Sequence, residues 1–192
     1  EVAITQCLPG ISIVGMPDAA IQEARERIRA AIRACGFDMP KGKVVVNLAP
    51  SFIRKSGSGF DLPNAVAILA ASKQIPKSMI EHSLIVGELS LEGHVKRIRG
   101  LMACLLCAKQ ENLSLICPET DENLATWSNV TVAVANSLYD FKTGEFSSPG
   151  TNNTKRNYKH LDYGDIGGHI TAKRAFQIAA AGNHGLLMIG PP

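Results

Sequence analysis

The spacing of hydrophobic residues predicts three helices in the first part of the chain. Apolar residues recur every three or four positions from Asp18 to Cys35, which predicts an amphipathic helix that Gly36 ends. Two further helices are predicted over residues 61–72 and 101–110. The predicted buried face of the first helix consists of Ile21, Ala24, Ile28, Ala31, Ile32 and Cys35.

Short apolar runs between these helices predict β-strands. The strands are predicted at residues 11–14, 43–48, 84–89, 94–98, 113–117 and 130–135. Gly93 lies in a turn that would join 84–89 to 94–98 as a hairpin. The mixture of helices and strands predicts that residues 1–142 form a domain of mixed α/β content, which belongs to the α+β class.

The hydrophobic pattern stops at residue 143 and returns at residue 161. Residues 143–160 are polar and predict a linker, whereas residues 161–192 begin a second domain. In that domain Thr171–Ala181 predicts a helix and Leu186–Ile189 a buried strand. Because this strand has no sheet neighbours in sequence, we expect the chain from Thr143 to be disordered or docked on another surface.

Composition narrows the class of protein. Hydrophobic residues make up 45% of the 192 residues and charged residues 19%, which is typical of a folded chain. A net charge of +3 is too small to indicate a nucleic-acid or membrane partner, and no apolar run approaches the roughly 20 residues that span a bilayer. The chain begins at Glu1 without an initiator methionine, so we expect residues to precede it.

The cysteines and histidines give no pattern of metal ligands. Five cysteines at irregular spacing, without a secretion signal, favour a reducing cytoplasmic location. Cys104 and Cys107 form a CxxC pair without a second pair, so we interpret them as buried helical residues. The five histidines lack HxH or HxxxH spacing, and no metal site is expected.

Three sequence blocks resemble one known family. The first is LPGISIVGMPD at residues 8–18; the second combines VNLAP at 46–50 with RK and GSGFDLP within 54–63. The third is GELSLEG at 87–93 with RGL at 99–101, which is also similar to Lon proteases. Together these blocks resemble the ComM/YifB family of magnesium-chelatase-like AAA+ ATPases.

This resemblance implies a ribosomal-S5-domain-2-like, or Lon-protease-like, sheet-and-helix fold for residues 1–142. A Lon active site uses a Ser nucleophile that a Lys activates. Aligned by eye, the nucleophile position falls on Asp61 and the lysine position near Cys104, so we expect no proteolysis. A Ser58 nucleophile with Lys55 as its base remains an alternative.

The end of the chain resembles a different element, the start of an AAA+ module. Residues 162–168, 172–175 and 179–182 are similar to the segment that lies against adenine and leads to the phosphate loop, and GPP at the end is similar to the first part of a Walker A loop. The phosphate-binding Lys and the Ser or Thr that holds Mg²⁺ would follow Pro192. The implied nucleotide contacts are Ile166, Gly168, Gly190, Pro191 and Pro192. Gly167 and His169 depart from the family pattern.

The resemblance implies a function for the whole protein. It would be a self-associating, hexameric ATPase with ATP and Mg²⁺ as cofactors, coupling hydrolysis to DNA branch migration in natural transformation. This part alone is expected to bind no cofactor and to be inactive. The alternatives are a metal-insertion subunit like that of magnesium chelatase, or a pure assembly or binding module.

Two regions are candidates for contact with DNA. Arg54 and Lys55, in a glycine-rich loop, are the better candidate. The arginine-rich first helix is interpreted as a solvated face, because Glu23 and Glu26 interleave with its arginines and no aromatic residue could stack on a base. The arginines of that helix are Arg25, Arg27, Arg29 and Arg33.

Overall fold

The computed structural model describes residues 1–120, 129–149 and 163–190. The chain divides into two compact units, residues 1–152 and residues 153–192. Each unit is described by itself. The domain boundaries predicted near residues 142 and 160 stay predictions.

A three-stranded sheet forms one side of the main core. Its strands are β1 (Val2–Thr5), β2 (Gly10–Val14) and β3 (Lys43–Asn47). β3 is central, antiparallel to β1 and parallel to β2. β1 was not predicted from the sequence; Val2 and Ile4 are its two half-buried positions.

Two helices cover this sheet: α1 (Ala19–Ala34) and α2 (Asp61–Ala71). α1 begins where predicted because the Asp18 carboxylate accepts the backbone N–H of Ile21 at 2.9 Å, which caps the helix. All six apolar residues predicted for its inner face are buried. α2 contributes Leu62, Ile68 and Leu69 to the same core.

The prediction of a single strand over residues 84–89 was wrong. The run divides into β4 (Ser83–Ile85) and β5 (Glu88–Leu89), which belong to different sheets. Gly87 lies between them, donates its N–H to Gly59 and accepts that of Leu62. A Cβ atom there would lie 2.7 Å from Val95, so only glycine allows this close approach.

The remaining strands complete two small sheets. β5 pairs with β6 (Val95–Lys96) as an antiparallel hairpin. β4 pairs in parallel with β7 (Ser114–Cys117), which pairs in parallel with β8 (Val132–Val134). α3 (Leu101–Gln110) packs on this parallel sheet through Leu105 and Ala108. Cys107, which we expected to be buried, is exposed on α3 because it faces away from that core.

After β8 the chain forms α4 (Asp140–Thr143), still within the first unit. The buried ring of Phe141 contacts Phe146 edge-on, with centroids 5.0 Å apart. Ser147 exchanges two backbone hydrogen bonds with Val134 of β8, at 2.8 and 3.0 Å. Residues 143–147 therefore pack against β8 and α4, which agrees with the docked alternative expected for this part of the polar segment.

The second unit contains α5 (Ile170–Gly182), as predicted. The buried strand predicted at Leu186–Ile189 was wrong: these residues form no strand, and Leu187 and Ile189 are 82% and 91% exposed. A strand requires a hydrogen-bonded neighbour, and the described residues provide none for this run.

The fold is thus α+β, as predicted from the alternation of elements. Its likeness to the ribosomal S5 domain 2 or to Lon stays a prediction. Within the described residues, no helix is long and apolar enough to cross a membrane.

Candidate functional site

The loop that follows β3, residues 50–57, is tied to the start of α1. The backbone N–H of Lys55 donates to Met16 at 3.2 Å, and that of Asp18 donates to Lys55 at 3.0 Å. The Asp18 carboxylate also accepts the N–H of Gly57 at 3.1 Å. One carboxylate therefore caps α1 and holds the loop.

The charge of Asp18 is favoured by these bonds. The hydrogen bond from Ile21 is the main cause that lowers the pKa of Asp18, with further lowering by Gly57 and by the charge of Arg54. Gly15 allows the close approach of Leu48, directly after β3, since a Cβ atom at Gly15 would lie 2.2 Å from the carbonyl oxygen of Leu48. Its φ of 101° also lies in the region that favours glycine.

The structure separates the two residues predicted to contact DNA. Arg54 is exposed at the surface of the loop. Lys55 is only 8% exposed, and its ammonium donates a hydrogen bond to the carbonyl of Pro50 within the loop. Arg54 is thus available to a partner, whereas Lys55 holds the loop in shape.

Sequence reasoning missed Phe52, whose side chain is 81% exposed in the same loop. Met16, Ile53 and Val14 are also exposed, at 55%, 50% and 43%. A large exposed aromatic residue beside an arginine suits stacking on an unpaired base as well as contact with a phosphate. The signal in the sequence was the single aromatic residue of an otherwise polar, glycine-rich loop.

Asp61, the position aligned with a Lon nucleophile, is a fully buried carboxylate. Arg27 donates two hydrogen bonds to it, at 2.7 and 3.2 Å, and the N–H of Leu89 approaches it at 3.4 Å. Both carboxylate oxygens are therefore occupied inside the protein. The sequence placed Arg27 on a solvated face, which is wrong, because its guanidinium reaches inward to this carboxylate.

The pKa values of both members of this pair are raised. Burial raises the pKa of Asp61, although Arg27 lowers it through its hydrogen bond and charge. The hydrogen bond to Asp61 raises the pKa of Arg27. We take the pair to be ionised at neutral pH, because the two-pronged geometry is that of a guanidinium on a carboxylate.

The alternative dyad of Ser58 and Lys55 gains no support from the geometry. The Ser58 hydroxyl donates to the Glu88 carboxylate, and the Lys55 ammonium donates to Pro50. Ser58, Glu88 and Cys104 line one cleft with a volume of about 720 Å³. Burial raises the pKa of the Cys104 thiol, so it is a weak nucleophile there.

The residues predicted to contact a nucleotide lie in the second unit. Ile166 is 46% exposed, and Gly168 has a φ of 70°. Neither lines the depression of about 490 Å³ between the start of α5 and residues 186–188, which His169 and Ile170 do line. Gly190 is exposed. Pro191 and Pro192 lie outside the described residues, and all five assignments stay predictions.

Among residues 1–120, 129–149 and 163–190, no group of three or more His, Cys, Asp or Glu could hold a metal ion. The candidate site near α1 and α2 consists of three features: the Arg27–Asp61 ion pair, the anchored 50–57 loop, and the cleft that Ser58, Glu88 and Cys104 line.

Comparison with known proteins defines the class. The family model described as subunit ChlI of Mg-chelatase matches residues 1–121, and a second, described as magnesium chelatase, subunit ChlI, matches residues 162–192. The chain belongs to the ComM/YifB magnesium-chelatase-like family of AAA+ proteins.

Relatives match along the entire chain. Competence protein ComM of Haemophilus influenzae is 36% identical over 203 residues, covering 100% of this chain and 40% of the relative. YifB of Escherichia coli, an uncharacterized protein, is 34% identical over 199 residues, covering 100% of this chain and 39% of the relative. An uncharacterized protein of Mycobacterium tuberculosis is 36% identical, with 100% and 40% coverage. The chain thus spans about two fifths of the length of these relatives.

Proposed function

We propose that this chain forms the N-terminal part of a ComM-like AAA+ ATPase whose ATP hydrolysis drives DNA branch migration in natural transformation. The observation that carries the proposal is the match of both parts of the chain, in order, to one family and along its whole length to a competence protein. In the whole protein, ATP and Mg²⁺ would be cofactors and the protein would assemble as a ring.

The second unit fits the adenine end of a nucleotide. The depression beside α5 is lined mainly by apolar groups of Ile170, Ala175 and Leu187, which suit a flat heterocycle. Bound ATP supplies the free energy of the motor. In this proposal Ile166 and Gly168, which do not line the depression, and Gly190–Pro192 would contact the nucleotide.

The first unit acts in this proposal as a non-proteolytic domain that positions DNA. The buried, ion-paired carboxylate of Asp61 cannot attack a peptide bond as a serine does. The DNA contact is the exposed tip of the 50–57 loop, with Arg54 on phosphate and Phe52 on an unpaired base. Lys55 positions this loop and does not touch DNA.

A salt-dependent titration with labelled single-stranded and branched DNA tests the positioning role. We expect Arg54→Ala to weaken binding and to reduce the salt slope by about one, and Phe52→Ala to weaken binding to unpaired DNA without changing that slope. Arg25→Ala, on the exposed side of α1, is the matched control. If both loop variants bind DNA as the parent does, the positioning role is wrong.

The motor function is tested separately with the full-length gene product. We expect it to displace a labelled strand from a four-way DNA junction with ATP and not with a non-hydrolysable analogue. Failure on junctions together with stimulation of Mg²⁺ insertion into a porphyrin would favour the metal-insertion alternative, which the description of the matching family supports.

A further inference from the structure

The cleft on the first unit lies between one strand edge and an irregular segment. One wall is β4, the edge strand of the parallel sheet, and the other is the segment 97–99 that follows β6. Its volume of about 720 Å³ falls in the range of ligand-binding sites. Phe60, Pro63, Leu84 and Ile98 give it apolar walls.

The backbone of β4 leaves one pair of polar groups facing away from its neighbour. The N–H of Ser114 donates to His82 at 2.9 Å, and the N–H of Val86 donates to Ile116 at 3.0 Å. In a parallel ladder this pattern directs residues 82, 84 and 86 towards β7. The N–H and C=O of Ile85, which lines the cleft, are therefore turned to the open edge, without a partner among the described residues.

The opposite wall carries positive charge. Arg97 and Arg99 line the cleft on either side of Ile98, and both are exposed. The one carboxylate in the lining, that of Glu88, accepts the hydroxyl of Ser58. The outer wall thus attracts negative charge, while the inner wall offers backbone hydrogen bonds and apolar surface.

We propose that this cleft binds an extended peptide segment of a partner protein, with alternating apolar and acidic side chains. The segment adds to β4 through the backbone of Ile85, its apolar side chains contact the walls, and a carboxylate meets Arg99. A peptide strand can pair with the free edge of β4, because the peptide supplies N–H and C=O groups at the spacing of the ladder. DNA has no such groups at this spacing. This inference does not depend on the DNA-binding function.

The probe is a fluorescein-labelled peptide of about seven residues that alternates glutamate and valine, titrated with the 192-residue chain and followed by anisotropy. We expect Arg99→Glu to weaken binding about tenfold or more. A peptide with lysine in place of glutamate should bind this variant more tightly than it binds the parent chain. Lys41→Glu, the same charge change at an exposed loop position outside the cleft, should leave both affinities unchanged.

Methylation of the peptide backbone separates strand addition from simple ion pairing. Methylating every second amide nitrogen gives two peptides, and only one of them blocks the N–H groups that face β4. We expect one methylated peptide to lose affinity by about three- to tenfold and the other to bind as before. Equal binding of both, absence of binding by the parent peptide, or an unchanged affinity of a folded Arg99→Glu variant would overturn the proposal.

Discussion

The guanidinium of Arg27 on α1 and the carboxylate of Asp61 on α2 form a two-pronged ion pair, with the carboxylate fully buried and the arginine side chain 25% exposed. Arg27→Met would leave this carboxylate without its cation. We expect the free energy of unfolding to fall by about 3–5 kcal/mol in urea denaturation. The double variant Arg27→Met/Asp61→Leu should recover most of that loss, and a double variant as unstable as the single one would contradict this account.

The same pair predicts a dependence of stability on pH. Burial raises the pKa of Asp61 above its ordinary value of 3.8, so the folded chain keeps this proton at a pH where the unfolded chain has lost it. The contribution of Asp61 to the free energy of unfolding therefore decreases as pH rises from 3.8 through the folded pKa. Without Arg27 the raising effect of burial is unopposed. The loss in the free energy of unfolding caused by Arg27→Met should then be smaller at about pH 5 than at about pH 7, because Asp61 takes up a proton more readily at the lower pH. Equal losses at the two pH values would contradict this prediction.

Lys55 and Arg54 are neighbours in sequence with different expected roles. Lys55→Met removes the donor to Pro50 from a largely buried position, and we expect it to lower the free energy of unfolding by about 1–3 kcal/mol. Arg54→Met, at the exposed neighbouring position, should change it by no more than about 0.5 kcal/mol. Urea denaturation of the two variants provides the comparison. Equal losses would show that Lys55 does not anchor the loop.

Asp18 joins the start of α1 to the loop, and its removal should loosen both. In Asp18→Ala we expect faster hydrogen exchange at the amides of Ile21 and Gly57 together. Asp18→Asn keeps an oxygen acceptor and should show a smaller change. Because the pKa of Asp18 is lowered, its stabilising contribution is present above 3.8 and is lost as pH falls through the folded pKa. Faster exchange at Ile21 alone would show that Asp18 does not couple the 50–57 loop to the start of α1.

The cysteines should differ in their reaction with iodoacetamide. Burial raises the pKa of Cys117 to about 11, so almost none of it is thiolate near neutral pH. Cys7 and Cys107 are exposed, and we expect both to be alkylated first in the native chain. Peptide mass spectrometry after a short exposure measures the order. Labelling of Cys117 at the rate of Cys107 would show that the β7 core opens readily.

Helix positions could be predicted from sequence because their determinants are local. The three- and four-residue spacing in α1 and its Asp18 cap are both visible in the chain. The division of residues 84–89 between two sheets was not visible, because it follows from the contact of Gly87 with Val95 and Leu62. The strand prediction at residues 186–189 failed for a related reason. Apolar composition favours a strand, but the strand forms only where a neighbouring strand pairs with it.

The candidate site could be predicted only in part. The glycine-rich loop follows from motifs in the sequence, whereas the correspondence of Asp61 with a Lon serine stays a prediction. The inward turn of Arg27 to a carboxylate 34 positions away, and the inward turn of Lys55, depend on tertiary contacts. Periodicity assigns a charged residue to the outside of a helix, so long side chains that reach back across its surface escape this kind of prediction.

The hydrogen bonds of Asp18 to the 50–57 loop make two distant segments inseparable for protein engineering. The β2–α1 junction and the 50–57 loop share hydrogen bonds, as between Asp18 and Gly57, which are 39 positions apart. A chimaera that receives the 50–57 loop of a relative, without that relative's β2–α1 junction, would combine two segments whose hydrogen bonds do not match. The two segments therefore form one exchangeable cassette, and we expect substitutions in relatives to co-vary across it.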